Sequence, residues 1–572
     1  MSLKALRELA ASCGIETSYL DMHGQRVAAA PETLQLALAA FGIEVRRVGD
    51  APRLLAGRRR QARARRLPPV LVAWGGKLAL PACTLVGEDG RERQHAPGKK
   101  LPFGYWTMAA AGAKCTIVSA PRRTHPLRPA RGLGFFLPLY AMRSGRNLGI
   151  GDFGDLAHLL DWTRNHGGTM AGTLPFLALF LADPCEPSPY SPASRLFWNE
   201  VHLDLERVPE MLAAPGVRAR LDAAAMQRTL RRLRAAPRVE YARVAALKTG
   251  LLAGLARAFF ATPGSARHAA FDRFCAGQPL LGDYAAFRAQ GDPALADQHR
   301  YAQFLCHEQL STLAAHPVGL YLDLPIGTHP DGYDLARFGA EFARGATVGA
   351  PPDHFFRSGQ DWGLPPLHPV HARAEGWRYW RLCLRHQMRF ARCLRIDHVM
   401  GLHRLFWIPA GGEAKDGLYV RYPHEELYAI VCLESHLARC AVAGEDLGLV
   451  PDEVRAAMRR HGLLRLYVLP WELRDGRPRP VPAQAIASLD THDMLPFAAQ
   501  PGAGGLVDRL RFLGRSKARL VLVNVEDLWG ETEPQNVPGT VGDANWTRKA
   551  RHELGRWRPG AELRRALRRR RD

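Results

Sequence analysis

RCAVAGEDLG, residues 439–448, is an apolar run closed by a polar cluster that holds Glu445 and Asp446. Two other stretches have the same form. CLRIDHVMG (393–401) leads through Arg395 to Asp397 and His398, and AIASLDTHD (485–493) ends in His492 and Asp493. HPVGLYLDLPIG (316–327), LRLYVLPWE (464–472) and RLVLVNVEDL (519–528) also read as buried strands. Short continuous apolar runs bounded by turn residues fit strands covered on both faces. Helix-like stretches such as PDEVRAAMRRHG separate several of them, and from about residue 132 LGFFLPLYAM, GDLAHLLDWTRNHG and TMAGTLPFLAL continue the alternation. Strand–helix alternation predicts a parallel sheet, and so many repeats over such a length favour an α/β fold of the (β/α)8 TIM type.

Outward from this core the rhythm changes twice. Residues about 205–315 are rich in Ala and Arg with helical periodicity, as in DAAAMQRTLRRLRAA, and read as a helical insertion between barrel strands. At the other end, LKALRELAASCG and PETLQLALAAFG read as helices ending at Gly, with Pro31 at a first-turn position. The Arg-rich segment 52–66 reads as a linker or an exposed helix, and PVLVAW (69–74), LPACTLVGEDG (80–90) and AKCTIVSAP (113–121) as short strands. The expected organisation is therefore an N-terminal helical segment and basic linker over 1–66, a small β-rich module over 67–130, and a barrel with its helical insertion over 131–572.

The 572 residues are too many for one small core, and 47% hydrophobic with 23% charged residues is a globular composition. No apolar run is long enough for a transmembrane span, and the N-terminus lacks the apolar block of a secretory signal, so a cytoplasmic protein without a membrane partner is expected. The ten cysteines are scattered, with no ligand spacing, and read as reduced core residues rather than disulfides or a zinc site. A net charge of +23 could advertise nucleic acid, and GRRRQARARR (57–66) and LRRALRRRRD (563–572) are local basic clusters. Arg is spread along the whole chain, however, and no nucleic-acid-binding motif accompanies it, so solvated basic segments are expected and no nucleic-acid partner.

The chemistry is carried by the carboxylates. In a parallel barrel the C-terminal strand ends face one way and hold the active site. A charge closing a buried strand is costly unless paired or used. Glycoside chemistry needs such acids: one carboxylate to attack the anomeric carbon and one carboxylic acid to protonate the leaving oxygen, about 5–5.5 Å apart in retaining enzymes. A third can hold the distorted ring near its oxocarbenium-like transition state. Arg395, two residues before Asp397, points to the same face of a strand and would keep that carboxylate ionised. Asp446 reads as a turn, cap or supporting residue. Spacing alone leaves a metal-dependent or aldolase-like barrel open.

Several stretches together resemble the amylomaltases (4-α-glucanotransferases, disproportionating enzymes; glycoside hydrolase family 77), relatives of the α-amylases. They are LGIGDFGDL (148–156), SPYSPASRLFWNEVHLDL (188–205), GAPPDHFFRSGQDWGLPPLHP (349–369), RIDHVMGLHRLFWIP (395–409), GEDLGLVPDEV (444–454) and VEDLWGETEPQNVPGTVGDANWTRK (525–549). Their shared order covers essentially the whole chain. The resemblance implies Asp397 as nucleophile, Glu445 as general acid/base and Asp493 as transition-state stabiliser. It implies substrate-binding roles for Arg395, which supports the nucleophile, His492, a sugar-hydroxyl ligand, Tyr190, an aromatic platform, and Trp362, an acceptor-side residue on a long covering loop at 349–369. It further implies transfer of α-1,4-glucan segments between malto-oligosaccharides, with no metal and no organic cofactor. A hydrolase with the same acids and a non-catalytic glucan-binding protein are the competing readings. The chain departs from the family's usual pattern in SLDTHDMLPFAAQ around Asp493 and in the apolar GTLPFLALFLADP (172–184).

Overall fold

A computed structural model describes residues 2–64, 67–110, 113–182, 184–354, 356–540, 542 and 544–567. Positions 65–66 and 568–572 of the two basic clusters, and 183, 355, 541 and 543 in the quoted motifs, lie outside the described residues.

Eight strands close a barrel: β1 (Gly132–Phe136), β2 (Met170–Gly172), β3 (Gly319–Leu324), β4 (Cys393–Ile396), β5 (Ala441–Gly444), β6 (Leu464–Val468), β7 (Ala485–Ser488) and β8 (Leu520–Asn524). Each lies beside its neighbours in sequence, and β8 closes on β1 in parallel register from Leu520↔Gly132 to Asn524↔Phe136. This is a (β/α)8 barrel, as the alternation predicts. β3, β4 and β5 are buried along their whole length, which is why, Asp323 and Arg395 apart, they read as continuous apolar runs rather than alternating ones.

The chain forms two compact units, one of residues 1–126, 326–389 and 395–465, the other of 127–325, 390–394 and 466–572. In the first, helices Ser2–Ser12, Pro31–Ala40 and Ala51–Ala64 and a short hairpin (Ser18–Leu20, Arg26–Ala28) form the N-terminal extension. The Arg-rich segment is helical through Ala64, with Leu55 buried and Arg59 paired to Glu8 at 2.9 Å. Residues 70–120 make a five-stranded sheet, and Phe41 stacks on Trp407 while Glu16 pairs with Arg404 and Arg421, tying the extension to its own unit.

The same unit holds a four-stranded antiparallel sheet ordered Gln360–Leu364, Ala346–Ala350, Arg404–Pro409, Leu418–Arg421. Within the 349–369 stretch, 349–350 and 360–364 are paired strand, and the residues between them form the connection. The Gly and Pro content of the stretch hides the pairing, because Gly349 is tolerated where the register shifts between Val348 and Gly349.

In the second unit, helices between Pro215 and Ala314 form the insertion around buried aromatic residues that include Phe259, Tyr301 and Phe304. The described residues include all ten cysteines, and no disulfide joins any of them. No helix among the described residues is long and apolar enough to cross a membrane.

Candidate active site

Arg395, Asp397 and Glu445 come together at the ends of β4 and β5. Asp397 is the first residue past β4, and the buried Arg395 within that strand sets Nη1 2.9 Å from its Oδ1. Glu445 is the first residue past β5. Its backbone N–H donates to the Ile396 carbonyl and its own carbonyl accepts from Val399 N–H, each at 3.0 Å, so the two strand ends are laced together. Gly444 makes that approach possible: a Cβ there would meet the Val399 and Met458 side chains at 2.7 and 2.9 Å.

The Glu445 carboxyl is fixed by backbone too. His398 N–H donates to Oε2 at 3.0 Å and Leu447 N–H to Oε1 at 2.7 Å. His398 reaches this position with a left-handed φ of 48°, a conformation a non-glycine residue adopts at some cost, here offset by the contact it delivers. Burial pushes Glu445 up to about 7; Arg395 and the two N–H donors oppose this, and the charge of Asp397 adds to it. Desolvation therefore wins over the hydrogen bonds, and the acid keeps its proton into the neutral range. The His398 imidazole, pushed down to about 4 by burial and by Arg395, is neutral there. Trp362 meets its ring edge-on at 5.3 Å, from the edge strand of the antiparallel sheet. Asp446 turns the other way and is enclosed against Arg455 and Arg465, at 3.2 and 3.3 Å.

The second unit gathers Tyr190, His492 and Asp493. Asp493 stands on the loop after β7 with its side chain 45% exposed. His492 Nε2 is 3.0 Å from its Oδ2, and Asn536 Nδ2 donates to its Oδ1 at 2.8 Å. The Tyr190 ring lies flat on His492, centroids 5.0 Å apart, and its hydroxyl donates to Asp323 Oδ2 at 2.6 Å. Trp546 tilts beside both rings, at 5.6 and 5.9 Å.

Asp323, Asn536 and Trp546 are absent from the sequence-based candidates. Asp323 had a readable signal, an acid inside the apolar run LYLDLP of β3, where burial demands a partner. Asn536 and Trp546 sit in the quoted 525–549 stretch, but nothing local shows what they touch.

Two acids held in unlike surroundings, one paired with a guanidinium and one kept protonated by burial, can divide nucleophilic and proton-donating roles. The model of the 4-alpha-glucanotransferase family, glycoside hydrolase family 77, matches residues 137–294 and 290–499. A 4-alpha-glucanotransferase of Mycobacterium bovis is 31% identical, over 95% of this chain and 94% of that one. The crystal structure of an amylomaltase from Corynebacterium glutamicum superposes with a TM-score of 0.88 at 27% identity, covering 99% of each chain. An amylomaltase from Streptococcus agalactiae shares the fold, with a TM-score of 0.64 at 18% identity over 76% of this chain and 98% of that one. The chain belongs to the 4-alpha-glucanotransferase family, glycoside hydrolase family 77.

Proposed function

We propose that the chain is a retaining 4-α-glucanotransferase acting on α-1,4-glucans and malto-oligosaccharides, with Asp397 as nucleophile, Glu445 as general acid/base and Asp493 as stabiliser of the transition state. The observation that carries the reading is Glu445, raised to about 7 at the end of β5, within electrostatic reach of an Asp397 already paired with Arg395. Glu445 donates its proton to the glycosidic oxygen as an Asp397 oxygen bonds to C1 and the C1–O bond breaks. The leaving sugar departs with that proton, and a β-glucosyl ester remains on Asp397. Glu445, now a carboxylate, takes the proton from the 4-OH of an acceptor glucan. The acceptor oxygen attacks C1, the ester breaks, and two inversions give net retention.

His492 and Tyr190 are assigned to sugar binding on the Asp493 side, and Trp362 to the acceptor. Transfer over hydrolysis requires that an acceptor outcompete water, and the 346–364 strand pair carrying Trp362 is the device assigned to this. Both half-reactions are acid–base and nucleophilic, so the steps call on no metal or organic cofactor.

Incubation with maltotriose tests the reading: oligosaccharides longer than maltotriose are expected beside glucose, and products that are only shorter would make the chain a hydrolase. Sugar binding with no turnover above the background of Asp397→Asn would leave only a glucan-binding protein.

A further inference from the structure

Two buried acids outside the proposed catalytic set stand at the root of the loop that carries His492 and Asp493. Asp490 lies just past β7, and Asp527 lies in the short helix Val525–Leu528 just past β8; β7 and β8 are paired in parallel. Asp490 is 6% exposed and Asp527 1%. The two carboxyls lie within hydrogen-bonding reach of each other, and the Oδ2 atom of each is buried with no donor among the described residues. A single shared proton satisfies both oxygens, whereas two buried carboxylates in contact would repel. Burial raises both groups; Asp527 raises Asp490 further, while Phe497 N–H and the contact with Asp490 oppose the rise at Asp527, so the proton rests on Asp490 and Asp527 accepts it.

A further charge facing the pair is Glu526, which is already held by Arg548 at 2.8 and 2.7 Å and by Gln535 at 2.9 Å. Asp527 also accepts from Phe497 N–H through Oδ1 at 2.9 Å. It therefore grips both ends of the 490–497 loop, Asp490 at the start and Phe497 at the finish. At the tip of the same loop Asp493 meets Asn536, which belongs to the segment that Asp527 begins.

We propose that Asp490 and Asp527 are positioning residues for Asp493: one shared proton clamps the base of the 490–497 loop and so fixes the carboxylate at its tip. The inference rests on Asp493 acting in the transfer reaction. A loop free at its base still binds sugar elsewhere along the chain but presents Asp493 less often in the reactive geometry, so the loss falls on kcat rather than KM.

The test measures kcat and KM on maltotriose with the full chain. Asp490→Asn keeps a donor for Asp527 and is expected to hold kcat within about two-fold, while Asp490→Leu, which has none, loses roughly ten-fold or more in kcat with KM within about two-fold. Because both groups act through Asp493, adding Asn536→Ala to Asp490→Leu costs little more than Asp490→Leu alone. If Asp490→Leu does not melt cooperatively, Asp490→Ala, which also lacks a donor, takes its place with the same expectations. A folded variant with unchanged kcat, or a loss that multiplies with that of Asn536→Ala, overturns the proposal. Asp493→Ala is the control. If it transfers at the wild-type rate, the role of Asp493 is what fails; if it is inactive while Asp490→Leu matches wild type, the positioning role alone fails.

Discussion

The acids beyond β4 and β5 and the acid beyond β7 are held in place by different means. Asp397 and Glu445 are the first residues after their strands, and Glu445 is fixed by main-chain hydrogen bonds to Ile396, His398, Val399 and Leu447. Their positions are inherited from barrel register, which side-chain changes elsewhere barely move. Asp493 stands farther out on a loop, and its carboxylate is held by His492 and Asn536. Its position is set by side chains, one of them from its neighbour in sequence and the other from a residue 43 positions away. Strand ends thus provide rigid acids, and loops provide acids that substitution can adjust. The chain's departure from the family pattern, MLPFAAQ after Asp493, falls in the adjustable part.

The contrast is sharpened first where the largest effects are expected. Asp397→Asn and Glu445→Gln should each lower transfer from maltotriose by about four orders of magnitude or more, since each removes a group that makes or breaks a bond. Glucose release and chain lengthening should vanish together. If either variant keeps a tenth of wild-type activity, the strand-end pair is not the reacting centre.

Arg395→Met comes next, with a loss of roughly a hundred-fold, because the Asp397 carboxylate loses its partner. It carries a second signature. In the wild type the proton-donating form of Glu445 is depleted as pH rises through about 7, so kcat/KM falls on the alkaline side. Arg395 lowers Glu445, so its removal raises that group further and moves the alkaline limb to higher pH. A limb that stays in place or moves down assigns the limb to another group.

The same division governs what the sequence discloses. The eight strands and the acids at the ends of β4 and β5 were legible, because a buried strand must be apolar and an acid closing it stands out. Arg395 was legible from the two-residue period of a strand. Asp323 was half legible, an acid in an apolar run whose partner Tyr190 lies on a distant segment. Asn536 was not legible, since an Asn in a Pro- and Gly-rich stretch reads as a turn former and only the folded chain brings it to Asp493. The strand at 360–364 was not legible for a related reason: its composition is that of a loop, and the strand it pairs with, 346–350, is itself held by the distant 404–409.

Trp362 tests a smaller effect. It stands half-buried on an edge strand with its ring against His398. Trp362→Ala should raise KM for a glucose acceptor by roughly ten-fold, as loss of one aromatic stacking surface allows, and should increase the share of hydrolysis. Unchanged acceptor kinetics would make Trp362 a packing residue of its sheet.

The smallest effect bears most directly on the comparison. Asn536→Ala removes one neutral donor from Asp493 Oδ1 and leaves His492 on Oδ2. The side chain of Asp493 is 45% exposed, so water can take the vacated position and the net loss should lie near the low end for a hydrogen bond, about 0.5–1 kcal/mol. That corresponds to a fall in kcat of about two- to five-fold, with KM on maltotriose unchanged. A drop as deep as that of Arg395→Met would mean that the loop acid is as dependent on a single partner as the strand-end pair. No change at all would mean that His492 and the base of the loop suffice to hold it.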